Sequence, residues 1–284
     1  MILVTGASGQ LGHLVIQNLL KQVPATQIAA LVRTPAKAQD LATLGVELRQ
    51  GDYEQPETLD RALQGVEKVL LISSSEVGKR YPQHVALIDA AKRAGVKLLA
   101  YTSLLRADSS PLPLAAEHKA TEEYLKTAGV PYVLLRNGWY TENYTASVPA
   151  ALQLGAVYGA AGDGRIASAA RADYAAAAAQ VLVLPDQAGK VYELAGDTAY
   201  TLTELAAEIA RQTGKAITYQ NIPEAAYQQA LVGAGLPEGL ATLLAESDTG
   251  ASKGGLFDEG KVLSGLIGRP TTPLATLVTA ALQG

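Results

Sequence analysis

Short runs of consecutive apolar residues alternate, through the first half of the chain, with longer segments in which apolar side chains recur every three to four positions. The runs are "MILVT", "QIAALVR", "VELRQGDY", "KVLLISSS", "KLLAYTSLL" and "PYVLLRNGW". They have the length of strands and are mostly apolar throughout, the pattern of strands covered on both faces. Between them, "GQLGHLVIQNLLK" places Leu11, Leu14, Val15, Leu19 and Leu20 on one face of a helix. "ETLDRALQG" and "HVALIDAAKRAG" have helical spacing too, and each ends on a glycine suited to a helix C-terminus. Strands alternating with helices in this way predict a doubly wound, parallel α/β sheet of the Rossmann type.

The rhythm breaks after Trp139. The stretch 140–170 is rich in glycine and shows no clear strand–helix unit. "RADYAAAAAQVLVL" then reads as a helix whose alanines suit close packing on the sheet, and "KVYELAGD" as one more core strand. From about residue 198, helices surround one short strand, "AITYQNI". The expected division is therefore a dinucleotide-binding core over 1–139, to which 171–197 returns, and a smaller, mainly helical substrate lobe from 140–170 and 198–284.

Composition narrows the chemistry. In 284 residues, 48% are apolar and 18% charged, which suits a protein with a substantial core. A net charge of −4 offers no basic stripe for nucleic acid and no polybasic anchor. The absence of cysteine removes disulfides, thiolate metal sites and cysteine nucleophiles. With no signal-like N-terminus and no apolar stretch of about 20 residues, the chain reads as cytoplasmic and soluble. The oligomeric state stays open, a homodimer being one option.

"VTGASGQLG" lies between the first strand and the first helix. Gly6, Gly9 and Gly12 form a variant of the dinucleotide fingerprint, in which glycines permit the turn, the approach of a pyrophosphate and close helix–strand packing. The expected contacts are Gly6, Ala7, Ser8, Gly9, Gln10 and Leu11. At the end of the second strand stands Arg33, where an NAD site would carry an acid for the ribose hydroxyl. Its fork of donors suits a 2′-phosphate, so NADPH is favoured over NADH; a solvated loop arginine is the plain alternative. Asp52, beside Tyr53, lies where it could accept from an adenine amino group. Ser73, Ser74 and Ser75 lie beside the expected sugar and nicotinamide, or simply cap the strand.

Taken together, "VTGASGQLGHLVI", "VRTPAKA", "LLISSSEVGKR", "YTSLLRAD", "LLRNGWYTENY" and "SGLIGRPTTPLATLV" resemble the short-chain dehydrogenase/reductase superfamily. Within it the likeness is to the atypical NmrA-like branch, and most of all to bacterial NAD(P)H:quinone oxidoreductases of the QorB type. The resemblance implies a Rossmann core, NADPH as hydride donor and a quinone as acceptor. It also implies that Asn137, Gly138, Trp139 and Tyr140 cover the nicotinamide.

Ordinary members of the superfamily carry Y-x-x-x-K on the helix after the fifth strand. Here the corresponding positions are His118 and Glu122, in "HKATE". Reducing a ketone makes an alkoxide near water's pKa of ~15.7, whereas a quinone yields a phenolate-like oxyanion near ~10. That difference of nearly 6 units is roughly 8 kcal/mol less charge to stabilise, so a quinone reductase can dispense with the tyrosine. His118 and Glu122 lack a third metal ligand, because His13 and His84 lie on other helices. They form a polar helix face or a ribose contact, or His118 donates a proton with a pKa near ~6.5. The substrate is expected where the lobes meet, with Tyr140, Tyr144 and Trp139 offering aromatic faces and Asn143 an amide donor. "GRPTTPL" at 268–274 reads as a break between helices, and "SKGG" at 252–255 as a mobile loop or a lid. The leading function is reduction of a quinone by NADPH. A non-catalytic NADP(H) sensor and a reductase or isomerase using His118 or Lys119 are the alternatives.

Overall fold

The first apolar run forms β1 (Ile2–Val4), buried along its length. The periodic segment after the glycine turn forms α1 (Gln10–Leu19), with Leu11, Val15, Ile16 and Leu19 turned inward. The computed structural model of the chain describes residues 1–283. Strand and helix then alternate as β2 (Ile28–Val32), α2 (Gln39–Thr43), β3 (Glu47–Gln50), α3 (Pro56–Ala62), β4 (Lys68–Leu71), α4 (Arg80–Arg93), β5 (Leu98–Leu104), α5 (Ala115–Ala128) and β6 (Tyr132–Asn137). Beyond them come α6 (Glu142–Thr145), α7 (Val148–Leu154), β7 (Ala156–Gly159), α8 (Arg171–Val183), β8 (Val191–Leu194), α9 (Leu202–Thr213) and β9 (Thr218–Asn221). The chain ends in α10 (Glu224–Gly233), α11 (Glu238–Ser252), α12 (Val262–Ile267) and α13 (Leu274–Gln283).

Seven strands make one sheet in the order β3-β2-β1-β4-β5-β6-β8. β1 pairs in parallel with β2 and β4, β2 with β3, β4 with β5, and β5 with β6. This is the doubly wound arrangement, in which the order reverses beside β1 and leaves a crevice at the strands' C-terminal ends. The central strands are buried on both faces, and Leu3, Leu31, Val69, Leu71, Leu99, Tyr101 and Leu134 share one core with Leu59, Leu87 and Ile88 from the helices. The alanine run lies in α8, where Ala175, Ala177, Ala178 and Ala179 are buried and the helix packs against α1.

The chain divides into two units. The first comprises 1–107, 116–137 and 171–193, and holds the sheet; the second comprises 108–115, 138–170 and 194–284. The segment 108–115, expected in the core, thus groups with the second unit. The stretch 140–170 is also more ordered than its glycines suggest. It contains α6, α7 and β7, and β7 pairs in parallel with β9, joining Ala156 to Thr218 and Gly159 to Asn221. That partnership is distant in sequence, so local periodicity does not reveal it. α9 opens on a capping box, Thr201 accepting from the Glu204 amide while the Glu204 side chain accepts from the Thr201 amide. Ser252 ends α11, and residues 253–255 form a hydrogen-bonded turn. Gly255 is buried, its amide donates to the Gly250 carbonyl, and a side chain there would meet Leu112 and Pro111. "GRPTTPL" separates α12 from α13, as its glycine and prolines suggest. Among the described residues no helix is long and apolar enough to cross a membrane.

Candidate functional site

In the first unit the turn between β1 and α1 is shaped by its glycines. Gly6 has φ +57°, a left-handed conformation that strains any residue with a Cβ. A Cβ on Gly12 would strike the Gly6 carbonyl and come within 2.8 Å of the Ala7 Cα, so helix and strand meet this closely only with glycine there. The Gly9 amide donates to the Gly6 carbonyl at 2.9 Å. Gly9 is the N-cap of α1 and no side chain caps the helix, which leaves its first-turn N–H groups for an anion. Gly6, Ser8, Gly9 and Gln10 are exposed, while Ala7 and Leu11 are buried beneath them. Thr5 anchors the turn: its amide donates to Leu70 and its hydroxyl accepts from the Ile72 amide at 2.9 Å.

The neighbouring strand ends carry the other expected contacts. Arg33 follows β2 with its side chain 71% exposed and its Nη1 3.4 Å from Glu76 Oε1, so the guanidinium is reachable and only loosely held. Asp52 is partly committed, because its Oδ1 accepts from the Glu54 amide at 3.0 Å. Tyr53 packs against the core cluster. Beyond β4, the Ser73 amide donates to Thr102 Oγ1 at 2.8 Å and the Ser74 amide to His84 Nε2 at 3.0 Å. Ser74 Oγ accepts from the Glu76 amide, and Ser75 is exposed. At the end of β6 the Asn137 side-chain oxygen is buried with no hydrogen-bond partner among the described residues.

Beneath this rim lies a buried polar cluster. Because His84 Nε2 accepts from a backbone N–H, its proton sits on Nδ1, 3.0 Å from Thr121 Oγ1. Thr121 in turn donates to the Glu117 carbonyl. The Tyr101 hydroxyl lies 2.8 Å from His118 Nδ1. Burial first, and then the positive charge of Arg80, lowers both imidazoles: His84 to about 3, and His118 well below the ordinary histidine range.

Two expectations are corrected here. His118 is 4% and Glu122 2% exposed, so they do not form an open polar helix face, and His118 does not keep an ordinary basicity. Nor do the two act as a pair. Glu122 accepts from Ser103 Oγ at 2.5 Å and receives Arg136 through both carboxylate oxygens, at 2.9 and 2.6 Å. Arg136 also donates to Glu193, whose other oxygen accepts from the Arg106 amide at 2.8 Å. This side of α5 is held against β5 and β6. The sequence hid it because Ser103, Arg136 and Glu193 belong to three different strands or their ends.

In the second unit the loop after β6 is fixed by backbone bonds. The Gly138 amide donates to Leu194, the Ala169 amide to Trp139, and the Thr141 amide to Ala169. Trp139 is buried and Tyr140 half-buried. Asn143 is half-buried and its side chain makes no hydrogen bond among the described residues. Tyr144 is buried, and its hydroxyl donates to Asp248 Oδ1 at 3.1 Å, while Asp248 Oδ2 accepts from the Ala160 amide at 2.9 Å. Burial pushes the Asp248 carboxyl up to about 6, against the opposing effect of these two hydrogen bonds. Thr141, Ser168 and Tyr200 form a chain of hydroxyls, with 2.7 Å between each neighbouring pair. The chain lines a cavity of about 330 Å³. Asp248, Ser168 and Tyr200 were not singled out from the sequence, where no motif marks them. No cluster of metal-binding side chains occurs among the described residues.

The NmrA-like family profile matches residues 1–266. The chain is 64% identical over 279 residues to quinone oxidoreductase 2 of Escherichia coli strain K12, spanning 98% of both proteins. It is also similar to the crystal structure of the E. coli NADPH-dependent quinone oxidoreductase QOR2 complexed with NADPH, with a TM-score of 0.97 and 63% identity. That match spans 99% of this chain and 100% of the other. The triphenylmethane reductase of Citrobacter sp. complexed with NADP(H) is similar too, at a TM-score of 0.95 and 41% identity, over 99% of this chain and 100% of the other.

Proposed function

The chain belongs to the NmrA-like family, and we infer that it is an NADPH-dependent quinone oxidoreductase. The observation that carries this is the glycine turn with the uncapped start of α1, on a chain nearly two-thirds identical to a quinone oxidoreductase throughout its length.

The residues present fit the cofactor. The first-turn N–H groups of α1 and the exposed backbone of Gly6, Ser8, Gly9 and Gln10 suit a pyrophosphate. Arg33 suits the 2′-phosphate that distinguishes NADPH from NADH. Ser73, Ser74 and Ser75 give a small, polar rim for the sugar and nicotinamide, and Asp52 retains one carboxylate oxygen for an adenine amino group. The buried Asn137 oxygen lacks a donor, and a carboxamide N–H would supply one. Gly138, Trp139 and Tyr140 follow Asn137 directly in the chain. When bound, NADPH supplies a hydride from its nicotinamide ring.

The chain's own task is then to orient the acceptor and steady the oxyanion that forms. Asn143 is suited to this, because its amide is uncommitted and donates to an oxygen. Tyr140, half-buried beside it in sequence, offers a ring face. The Tyr144 hydroxyl is engaged by Asp248, so Tyr144 serves through its ring and by holding α6. A strong acid is unnecessary for a phenolate-like product, which agrees with a neutral His118 behind the rim.

The role of Arg33 is tested by comparing NADPH and NADH as donors to a simple benzoquinone. Arg33→Ala is expected to raise KM for NADPH about tenfold, equivalent to ~1.4 kcal/mol, and to leave NADH nearly unchanged. An equal loss with both donors would remove Arg33 from the phosphate site.

A further inference from the structure

The cavity of the second unit has a distinctive lining. Thr141, Ser168 and Tyr200, whose hydroxyls are linked in a chain, line one part of it, and Pro270, Pro273 and Leu274 contribute apolar surface. Two carboxylates also line it: both oxygens of Asp197 are engaged, whereas Glu204 is exposed and engages one. Asp197 accepts from Ser264 Oγ at 2.6 Å and from the Thr271 amide at 2.9 Å, and Glu204 accepts from the Thr201 amide at 2.7 Å. Among the described residues no lysine, arginine or histidine lines the space. An anion would find no countercharge here, and a cation would compete with the bonds that Asp197 already makes. A neutral ligand with an apolar body and polar edges fits better.

The hydroxyl chain narrows the class further. Each hydroxyl both donates and accepts, so three in series can turn their protons in either direction. A quinone oxygen only accepts, whereas the hydroquinone oxygen it becomes also donates. A wall of reversible hydroxyls can meet both forms without moving a heavy atom. The size agrees: about 330 Å³ is near the lower end of small-molecule pockets. That is room for a quinone of one or two rings. Thr141, at one end of the hydroxyl chain, directly follows Tyr140.

We propose that this cavity is the quinone subsite, with the Thr141–Ser168–Tyr200 hydroxyls as the wall that hydrogen-bonds the quinone oxygens. The proposal rests on the quinone reading above and adds to it the residues that recognise the acceptor. Tyr200 thereby supplies a hydroxyl that Tyr144 does not, since the Tyr144 hydroxyl is engaged with Asp248.

Two variants test it. Tyr200→Phe removes the terminal hydroxyl and keeps the ring; Leu274→Phe adds bulk on the apolar wall. For each, NADPH binding is titrated alone, NADPH oxidation is followed with a simple benzoquinone, and benzoquinone binding without NADPH is read from quenching of Trp139, the sole tryptophan. Tyr200→Phe is expected to raise KM for the quinone about five- to tenfold, the loss of one hydrogen bond, with kcat and NADPH affinity within about twofold of wild type. Leu274→Phe should weaken quinone binding at least as much. Unchanged quinone KM and unchanged quenching in both variants would overturn the proposal. If Leu274→Phe loses NADPH binding as well, its fold is compromised and Tyr200→Phe alone decides. Absence of NADPH oxidation by the wild type would defeat the quinone reading itself; the quenching comparison would still decide whether a quinone occupies this cavity.

Discussion

Glu122 shows how one residue can hold a neighbourhood together. Its two oxygens receive Nε and Nη2 of Arg136 and the hydroxyl of Ser103, all away from solvent. Buried ion pairs are weak evidence of net stability, because desolvation opposes their attraction, but removing one partner leaves a charge stranded. Glu122→Ala is therefore expected to cost about 3 kcal/mol, at the low end for such a loss because Glu193 still pairs with Arg136. Urea unfolding measures this, and a cost below about 0.5 kcal/mol would show that Glu193 and water suffice. The sequence placed Glu122 on the right helix and in the register of the superfamily's lysine. It could not show Glu122 turned inward, because its partners are 14 and 19 residues away and nothing in "HKATE" distinguishes a buried carboxylate from an exposed one.

At the scale of elements, Asp248 ties three of them: it sits in α11, receives Tyr144 from α6 and accepts from the Ala160 amide just after β7. Tyr200, Tyr219 and Tyr227 also feel its charge, which raises the pKa of their hydroxyls. Its carboxyl is raised to about 6 from an unfolded value near 3.8, so between those pH values the folded chain holds a proton that the unfolded chain lacks. Stability from this group therefore falls as pH rises through the window, by roughly 3 kcal/mol in all for a shift of about 2 units. His84 and His118 act in the opposite sense. Their lowered values mean that the unfolded chain takes up protons first, and stability is lost as pH falls below about 6.5. In acid the two histidines thus oppose the gain from Asp248. The contribution of Asp248 is isolated by difference: Asp248→Asn should melt at a higher temperature than wild type at pH 8, and the gap should close toward pH 5. A gap that is constant with pH would mean that Asp248 does not titrate in this window. Elements with local signals, such as β1, α1, α4 and α8, were legible from periodicity and glycine placement. The β7–β9 pair and the Asp248 junction were not, because each depends on residues some 60 to 100 positions apart.

For the whole molecule, the fold class, the family and the cofactor were readable because they rest on a contiguous stretch. Strand, glycine turn and helix occur together within the first 19 residues, and Arg33 follows the next strand. The substrate side was less legible. Asn143 and Tyr140 stand in a recognisable run, whereas Thr141, Ser168 and Tyr200 are brought together only by the second unit's fold. The central claim is direct reduction of a quinone by NADPH, with no intermediate carrier. The most direct test mixes the purified chain, free of flavin, with NADPH deuterated at the transferring position of the nicotinamide and a benzoquinone in excess, under single-turnover conditions. Rapid oxidation that the deuterium slows severalfold is the expected result. Tight NADPH binding with oxidation no faster than in the absence of protein would contradict it.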